Sequence, residues 1–501
     1  MKRLVIVGAG ISGLSAAHEA VRYAADVPGG LEVLVLEAGP EVGGKARSVR
    51  QDGWLVEEGP TGYLDSEPEF DDLLTRSGLA PHKVTANDAA ARRYLFHGRL
   101  REIKANPLAF ATSGILSAGG LLRIAAEPFV AKASEEQVAA ESIWDFAARR
   151  LGPQAADRLI APMVLGVCAG NARKLSLTAC FPKLASLERE HGSLIRGMLA
   201  TRRSRSKDQR FATGLSGKLT SAADGLQSVP RRLAEAGSFT TRCNARVGGI
   251  EESAKPDEGD CAAPRYRVLV DGDAEAIAAD AVILAGESFA NAELISGVNP
   301  QVADALREIQ TPPVVVVAMG FGPDVARSFP TGFGVLIPRD QGYRVLGCIW
   351  DSQLFARRSP DGHLLVRAML GGSVDPEVAS LGDDQLAELT YGELSRIFGL
   401  RQRPLFTRVV NWDRAIPQYD IDHPQRIERI ASTLPRSPGI FLAGNGLHGV
   451  AFCKSAVTGI RQGREATEWL AAKPRAAAIG SGTAAGASVG PSGRAPEPDG
   501  R

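Results

Sequence analysis

The sequence predicts an α/β protein with a parallel sheet of the dinucleotide-binding kind, and three observations predict it. Residues 1–37 read strand, glycine turn, helix, strand; Gly8-Ala9-Gly10-Ile11-Ser12-Gly13 fills the turn; and Glu37 ends the second strand, 24 residues beyond Gly13. A β-α-β unit this short sets its strands parallel, because the crossover between them is right-handed.

Each element has its own warrant. Leu4 to Val7 is a β-branched run that no turn residue interrupts, Ile11 to Val21 has a helical apolar pattern, and Leu31 to Leu36 supplies the second strand. Gly8 allows the tight turn, Gly10 lets the backbone approach a pyrophosphate, and Gly13 lets helix and strand pack closely. The helix start then offers free N–H groups and the positive end of its dipole to phosphates. A carboxylate at Glu37 suits ribose hydroxyls; the plainer alternative is a surface acid after a strand. Gly43-Gly44-Lys45 gives a second place where backbone can come close to a ligand.

From about Glu67 to Leu199 the pattern is mostly helical, as in Ser142 to Leu151. Within it, Pro107 to Leu122 carries no charge, is too short to span a bilayer and is broken by Gly114, Gly119 and Gly120. A buried helix pair is the preferred reading, and a patch dipping into one membrane leaflet is the other. The basic run 202–210 reads as a solvated loop. Strand patterns return at Tyr266–Val270, Ala281–Ala285, Val314–Met319, Gly334–Ile337, Arg344–Trp350 and Leu364–Leu370. Gly439–Ala443 is a last strand leading into a helix through Trp469, and the Ala/Gly/Ser/Pro-rich tail past Lys473 reads as disordered.

Composition narrows the function. The chain has 501 residues, with 58 basic against 57 acidic side chains, which leaves no field to steer nucleic acid. Cys168, Cys180, Cys243, Cys261, Cys348 and Cys453 form no C-x-x-C pair, and the histidines show no metal spacing, so no metal site is expected. Scattered cysteines and an amino terminus running straight into a strand suggest a reducing, cytoplasmic setting.

A second G-x-G-x-x-G, at Gly444 to Gly449, invites comparison with an NAD fingerprint. Only one helix follows it, leaving no second strand or acidic partner for an adenosine. It reads instead as a helix start at Val450–Phe452 aimed at a flavin, where a positive helix end stabilises negative charge on the reduced ring. One dinucleotide site then remains, for FAD, and electrons leave most simply to oxygen.

At this point the residues match a family. Leu165-Gly-Val-Cys-Ala-Gly-Asn-Ala-Arg-Lys-Leu-Ser-Leu177, Cys180-Phe-Pro182 and Glu190-His-Gly-Ser-Leu-Ile-Arg-Gly197 form its most specific stretch. Glu58-Gly-Pro60, Gly225-Leu-Gln227, Gly332-Phe-Gly334, Met369-Leu-Gly-Gly372 and Ile416-Pro-Gln-Tyr419 support it. From Lys2 to about Leu470 the chain resembles the protoporphyrinogen/coproporphyrinogen oxidases of the flavin amine oxidase superfamily. Two departures stand out: Cys453-Lys454-Ser455 replaces a Pro/Asn-Asp-Cys run, and Asp422 replaces a frequent glycine.

The resemblance implies an FAD-binding Rossmann-like domain of glutathione-reductase type, from segments 1–85, 215–300 and 405–471. A helical membrane-contacting domain (86–214), a mixed-sheet substrate domain (301–404) and the tail (472–501) complete it. It implies noncovalent FAD, touched by Gly8, Ala9, Gly10, Ile11, Ser12, Gly13, Glu37, Ala38, Gly43, Gly44 and Lys45. Further contacts would be Gly59, Pro60, Thr61, Gly62, Trp412, Asn445, Val450, Ala451 and Phe452, with the Val247 backbone reaching the adenine. For substrate it implies Arg93 on a propionate, with Arg92 as the alternative, Phe333, Leu336 and Met369 as apolar walls, and Gly170 close to the macrocycle. A surface arginine and plain core packing are what these residues suggest without the resemblance.

The implied reaction is oxygen-dependent oxidation of protoporphyrinogen in heme biosynthesis, with hydride passing to flavin N5 and peroxide as product. Pyrrole lone pairs expel the hydride, so no protein acid or base is expected. Alternatives are coproporphyrinogen, an amine oxidase or desaturase on the same scaffold, and a non-catalytic flavin-binding protein. Peripheral contact with the cytoplasmic membrane face and a homodimer are compatible with this reading.

Overall fold

The computed structural model describes residues 1–104, 106–204, 217–253 and 264–472. The tail past Lys473 and the basic run from residue 205 onward lie outside the described residues. Residues 202–204 close the Leu194–Ser204 helix, where a loop was expected.

A five-stranded parallel sheet carries the amino terminus. Its strands run Thr240–Arg242, Leu31–Leu36, Lys2–Val7, Ala281–Leu284 and Ile440–Leu442. Both faces are covered, so its central strands are apolar throughout: Leu4, Val5 and Ile6 have no exposure. One face meets the Ile11–Arg22 helix, on which the final helix, Phe452–Ala472, lies. Glycine permits that approach. A Cβ at Gly459 or Gly463 would stand 1.9 or 2.3 Å from the carbonyl of Ser12 or Ala16.

A seven-stranded mixed sheet forms the second layer, ordered Phe406–Trp412, Val314–Phe321, Leu364–Gly371, Val345–Ile349, Gly334–Leu336, Arg93–Phe96 and Leu100–Glu102. One face packs on the Asp383–Phe398 helix through Val315, Val317, Val366 and Leu370. The Arg93–Glu102 hairpin was expected within a mostly helical stretch, yet it supplies this sheet's edge. Its strands of four and three residues are too short to show a period.

The buried helix pair expected over Pro107–Leu122 needs correction. Helices do form at Pro107–Ala111 and Ala118–Ala125, but only Ile115 and Leu116 between them are buried, against Leu95 and Ala155. Leu108 and Leu122 are 81% and 71% exposed, and nearby Phe129 is 84% exposed. Lack of charge marked these helices as apolar, not as covered. Behind them, Arg150 is buried with Glu127, whose carboxylate also accepts from Ser193 Oγ (2.6 Å) and Leu194 N (2.8 Å). Such pairing is what a buried charge requires. Among the described residues no helix is long and apolar enough to cross a membrane.

Candidate cofactor and substrate site

The glycine turn is built as a cradle. Gly8 takes φ +104° beside Ala285, and a Cβ on Gly13 would stand 1.9 Å from the Gly8 carbonyl, so both glycines serve the protein's own packing. Gly10 is different: a Cβ there would meet nothing within 4 Å. Gly10 is also the N-cap of the Ile11–Arg22 helix, and no side chain caps that end. The helix start is thus uncapped by any side chain and has room beside Gly10, as an anion site demands. Gly43 N donates to Ala9 O (2.9 Å), which lays the second glycine loop alongside the first; a Cβ on Gly44 would stand 3.4 Å from Gly10 Cα.

Glu37 stands where its spacing predicted. Its carboxylate accepts from Ala9 N (2.9 Å) and, across Ala38, from Gly39 N (2.8 Å). Ala245 N donates to Glu37 O, which brings the chain leading to Val247 beside the same strand end. Open space at the helix start, a carboxylate at the next strand end and a strand passing beside it fit a dinucleotide's pyrophosphate, ribose and adenine. Lys45 adds less than expected to this cradle: its ammonium pairs with Glu287 (2.8 Å) and donates to the Ala415 carbonyl.

Residues 59–62 are threaded between other segments. A Cβ on Gly59 would stand 1.9 Å from Lys45 O, and one on Gly62 2.3 Å from Thr220 O. Pro60 and Thr61 lie between these two contacts. Trp412 Nε1 donates to Glu58 O (2.8 Å), and the Arg408 guanidinium pairs with the Glu58 carboxylate (2.9 Å). The carboxy-terminal glycine loop is tied to the first turn, since Gly444 N donates to Ser12 Oγ (3.0 Å).

The last helix starts at Phe452, so Val450 and Ala451 form the turn before it. The Phe452 ring is taken up by Tyr63 and Phe70. Lys454 is not a free charge: it pairs with Glu67 (2.6 Å).

Tyr419 and His423 had no assigned role in the sequence reading. Their rings stack 4.0 Å apart. Tyr419 donates its hydroxyl proton to Asn445 O, and His423 Nε2 lies 3.0 Å from Leu447 O. Burial holds the imidazole pKa down at about 4, so it is neutral and can donate to that carbonyl. Tyr419 ended a quoted motif, but nothing in the sequence tied it to a loop 26 residues on.

The seven-stranded sheet turns its second face toward these segments. Leu336, Gly347, Met369, Val316 and Val410 form one cross-strand row, with Arg367 and Trp412 on the same face. Met369 is the one residue of Leu364–Gly371 that is not buried, and Leu336 the one of Gly334–Leu336. Both are thus partly accessible on this face, with Leu336 packed toward Gly166 and Leu95.

Arg93 pairs in register with Gly334, and Leu95 with Leu336, which sets Arg93 on this face too. Arg93 is exposed, makes no ion pair among the described residues, and lies with its guanidinium 5.1 Å from the centre of the Phe333 ring. Arg92 precedes the strand, where its carbonyl accepts from Phe333 N (2.7 Å). Gly170 is packed: a Cβ there would meet Gln418 and Leu175. The neighbouring Ala169 carbonyl accepts from Ser373 N (2.8 Å), just past Met369-Leu-Gly-Gly372.

The model of the family described as flavin containing amine oxidoreductase matches residues 11–467. The coproporphyrinogen III oxidase of Bacillus subtilis (strain 168) is 28% identical over 459 residues, covering 90% of this chain and 94% of its own. The chloroplastic protoporphyrinogen oxidase of Oryza sativa subsp. japonica is 30% identical over 467 residues, covering 89% and 84%. A structure from Exiguobacterium sp. 255-15, provisionally assigned as a protoporphyrinogen oxidase, superposes with a TM-score of 0.77 at 25% identity, covering 93% of this chain and 99% of that one. Cyclohexylamine oxidase from Brevibacterium oxydans shares the fold, with a TM-score of 0.65 at 15% identity, covering 94% and 98%.

Proposed function

This chain belongs to the flavin containing amine oxidoreductase family, in its protoporphyrinogen/coproporphyrinogen oxidase branch, and we propose that it oxidises protoporphyrinogen IX to protoporphyrin IX in heme biosynthesis. FAD is its cofactor; held noncovalently, it would supply the hydride acceptor, with oxygen as final acceptor and hydrogen peroxide as product. The observation that carries this reading is the one sheet face that Arg93, Leu336 and Met369 share, next to the segments 57–62 and 412 expected at the flavin ring.

Each residue then has a limited task. Gly8 to Gly13, Glu37, Gly43 and Gly44 hold the dinucleotide, with Val247 at the adenine. Gly59 to Gly62, Trp412 and Asn445 to Ala451 border the ring. Leu336, Met369 and Phe333 exclude water from an apolar disc while Arg93 anchors a propionate through a charge-assisted bond. No side chain has to move a proton at the reacting carbon. His423, a buried titratable group beside the 444–451 loop, is neutral and committed to a backbone carbonyl, as is the Tyr419 hydroxyl. The segment 415–419 offers no cysteine to tether a flavin, which supports noncovalent binding over an amine oxidase with such a link.

Of Arg344, Arg367 and Arg414 as candidates for a further propionate, the first two are committed to the protein, which supports the substrate with fewer carboxylates; the third, Arg414, lies over the Phe289 ring. Arg344 is held bidentately by Asp375 (2.8 and 2.6 Å), and Arg367 is saturated by the protein. Coproporphyrinogen III, with two more propionates, is the second reading, favoured by the likeness to the Bacillus subtilis oxidase. The exposed Leu108, Leu122 and Phe129 support peripheral membrane contact of the 86–214 segment. In the proposed division into cofactor, helical and substrate units, the 93–102 hairpin and the 406–412 strand would be lent to the substrate sheet. A cytoplasmic homodimer is compatible with all of this.

Aerobic incubation with each porphyrinogen, read by porphyrin fluorescence, tests the proposal. Protoporphyrinogen is expected to be consumed with a kcat/KM at least about tenfold above coproporphyrinogen, the ratio that about 1.4 kcal/mol of binding difference gives. Equal or reversed preference selects the second reading, and turnover of neither removes both.

A further inference from the structure

We infer that Arg367 is a positioning residue for the flavin ring: it fastens the 57–61 segment to the substrate sheet and so sets the ring against the cleft. The inference rests on the proposed placement of residues 59–62 at the flavin, and adds a residue that touches neither cofactor nor substrate.

Arg367 lies at the centre of the sheet, paired in register with Ala318 and Ile349 and two residues before Met369. Its side chain is buried, at 2% exposure. A guanidinium has five N–H groups, and here each has a partner. Nε donates to Asp351 Oδ2 (3.0 Å) and Nη2 to Asp351 Oδ1 (3.1 Å); Nη1 donates to Glu57 O (2.7 Å) and Gly59 O (2.6 Å); Nη2 also donates to Thr61 Oγ1. Asp351 is as buried as its partner and neutralises it.

The geometry is more than a buried ion pair. Two of the five bonds satisfy the charge, and three run to one short segment of irregular backbone. The segment is also held by Glu58 N donating to Arg47 O (2.8 Å), by Ser221 Oγ donating to Thr61 O (3.0 Å) and by close glycine contacts with Lys45 and Thr220, but none of these ties it to the strand that carries Met369. Arg367 therefore ties the Glu57 and Gly59 carbonyls and the Thr61 hydroxyl to the strand that carries Met369, two residues along. Lysine cannot replace it: three N–H groups on a point charge can keep Asp351 and one carbonyl but cannot hold the fork. The neighbouring Arg408–Glu58 pair and the Trp412–Glu58 bond hold the same segment from the edge strand, so loss of Arg367 should shift the segment rather than unfold it.

Arg344 provides an internal control. It also pairs bidentately with a carboxylate, Asp375, and its backbone N–H donates to Glu393 of the helix on the opposite face. The experiment compares full-length wild type, Arg367→Lys, Asp351→Asn and Arg344→Lys after removal of FAD and reconstitution. FAD Kd, the visible circular dichroism of bound flavin, and Tm are read for each.

Arg367→Lys is expected to raise the FAD Kd at least tenfold and to change the flavin dichroism. Asp351→Asn should move both in the same direction, and Arg344→Lys should lower Tm alone. If Arg367→Lys and Asp351→Asn lower Tm like Arg344→Lys but keep wild-type FAD affinity and dichroism, Arg367 is structural and the inference is overturned. Wild type that binds FAD but oxidises no porphyrinogen would sink the proposed function and leave this inference standing.

Discussion

Gly10→Ala is expected to leave the fold intact and to strip the protein of its cofactor. A Cβ at Gly10 meets no protein atom within 4 Å, and its backbone (φ −72°) suits any residue. Apo-protein Tm should therefore stay close to wild type. The added methyl would instead occupy the approach of a pyrophosphate to the Ile11 and Ser12 N–H groups. Losing one or two charge-assisted bonds of about 1.5–3 kcal/mol each corresponds to a rise in FAD Kd of about a hundredfold. Gly13→Ala separates the two kinds of glycine: its Cβ would lie 1.9 Å from Gly8 O, so that variant should lose Tm even without cofactor. Titration of both apo-proteins with FAD, beside thermal unfolding, checks the pair. Unchanged FAD affinity in Gly10→Ala would refute the proposed cradle.

The second large effect is on substrate. Arg93→Leu removes a cation that has no ion-pair partner among the described residues and shares a face with Leu336 and Met369. A charged hydrogen bond of about 1.5–3 kcal/mol predicts a fall in kcat/KM for porphyrinogen of about ten- to a hundredfold. Folding should be little affected, because the side chain is exposed. Arg92→Leu, outside the strand, should stay within about threefold of wild type. Should Arg92→Leu fall and Arg93→Leu hold, Arg92 is the anchor and the strand register has been misjudged as a guide to the site.

What the sequence made legible was local. The first strand, its glycine turn, the helix and Glu37 lie within one β-α-β unit, so spacing alone ties them together, and the structure has them where expected. Leu336 and Met369 came only through the family resemblance; periodicity alone would have left them in the core. Register joins them, through Gly347 on an intervening strand. The role of Arg367 was hidden because its acceptors lie at 57–61 and 351. A signal existed: an arginine inside Leu-Leu-Val-Arg-Ala-Met-Leu, an otherwise buried strand, must have partners. Lys45 was read by its neighbours in sequence, whereas Glu287, far along the chain, engages its charge. The Pro107–Leu122 segment misled for a plainer reason. Apolar character is a property of sequence, but whether a surface is covered depends on what packs against it.

The central claim is that a flavin held at the amino-terminal turn is reduced by a tetrapyrrole lying on this sheet face. The most direct test is anaerobic mixing of the FAD-loaded protein with protoporphyrinogen, followed by flavin absorbance near 450 nm, the usual oxidised band (about 450 nm). The account predicts rapid bleaching without oxygen, recovery on admitting air, and bleaching slowed in Arg93→Leu. A flavin that stays oxidised in the presence of both porphyrinogens would contradict it.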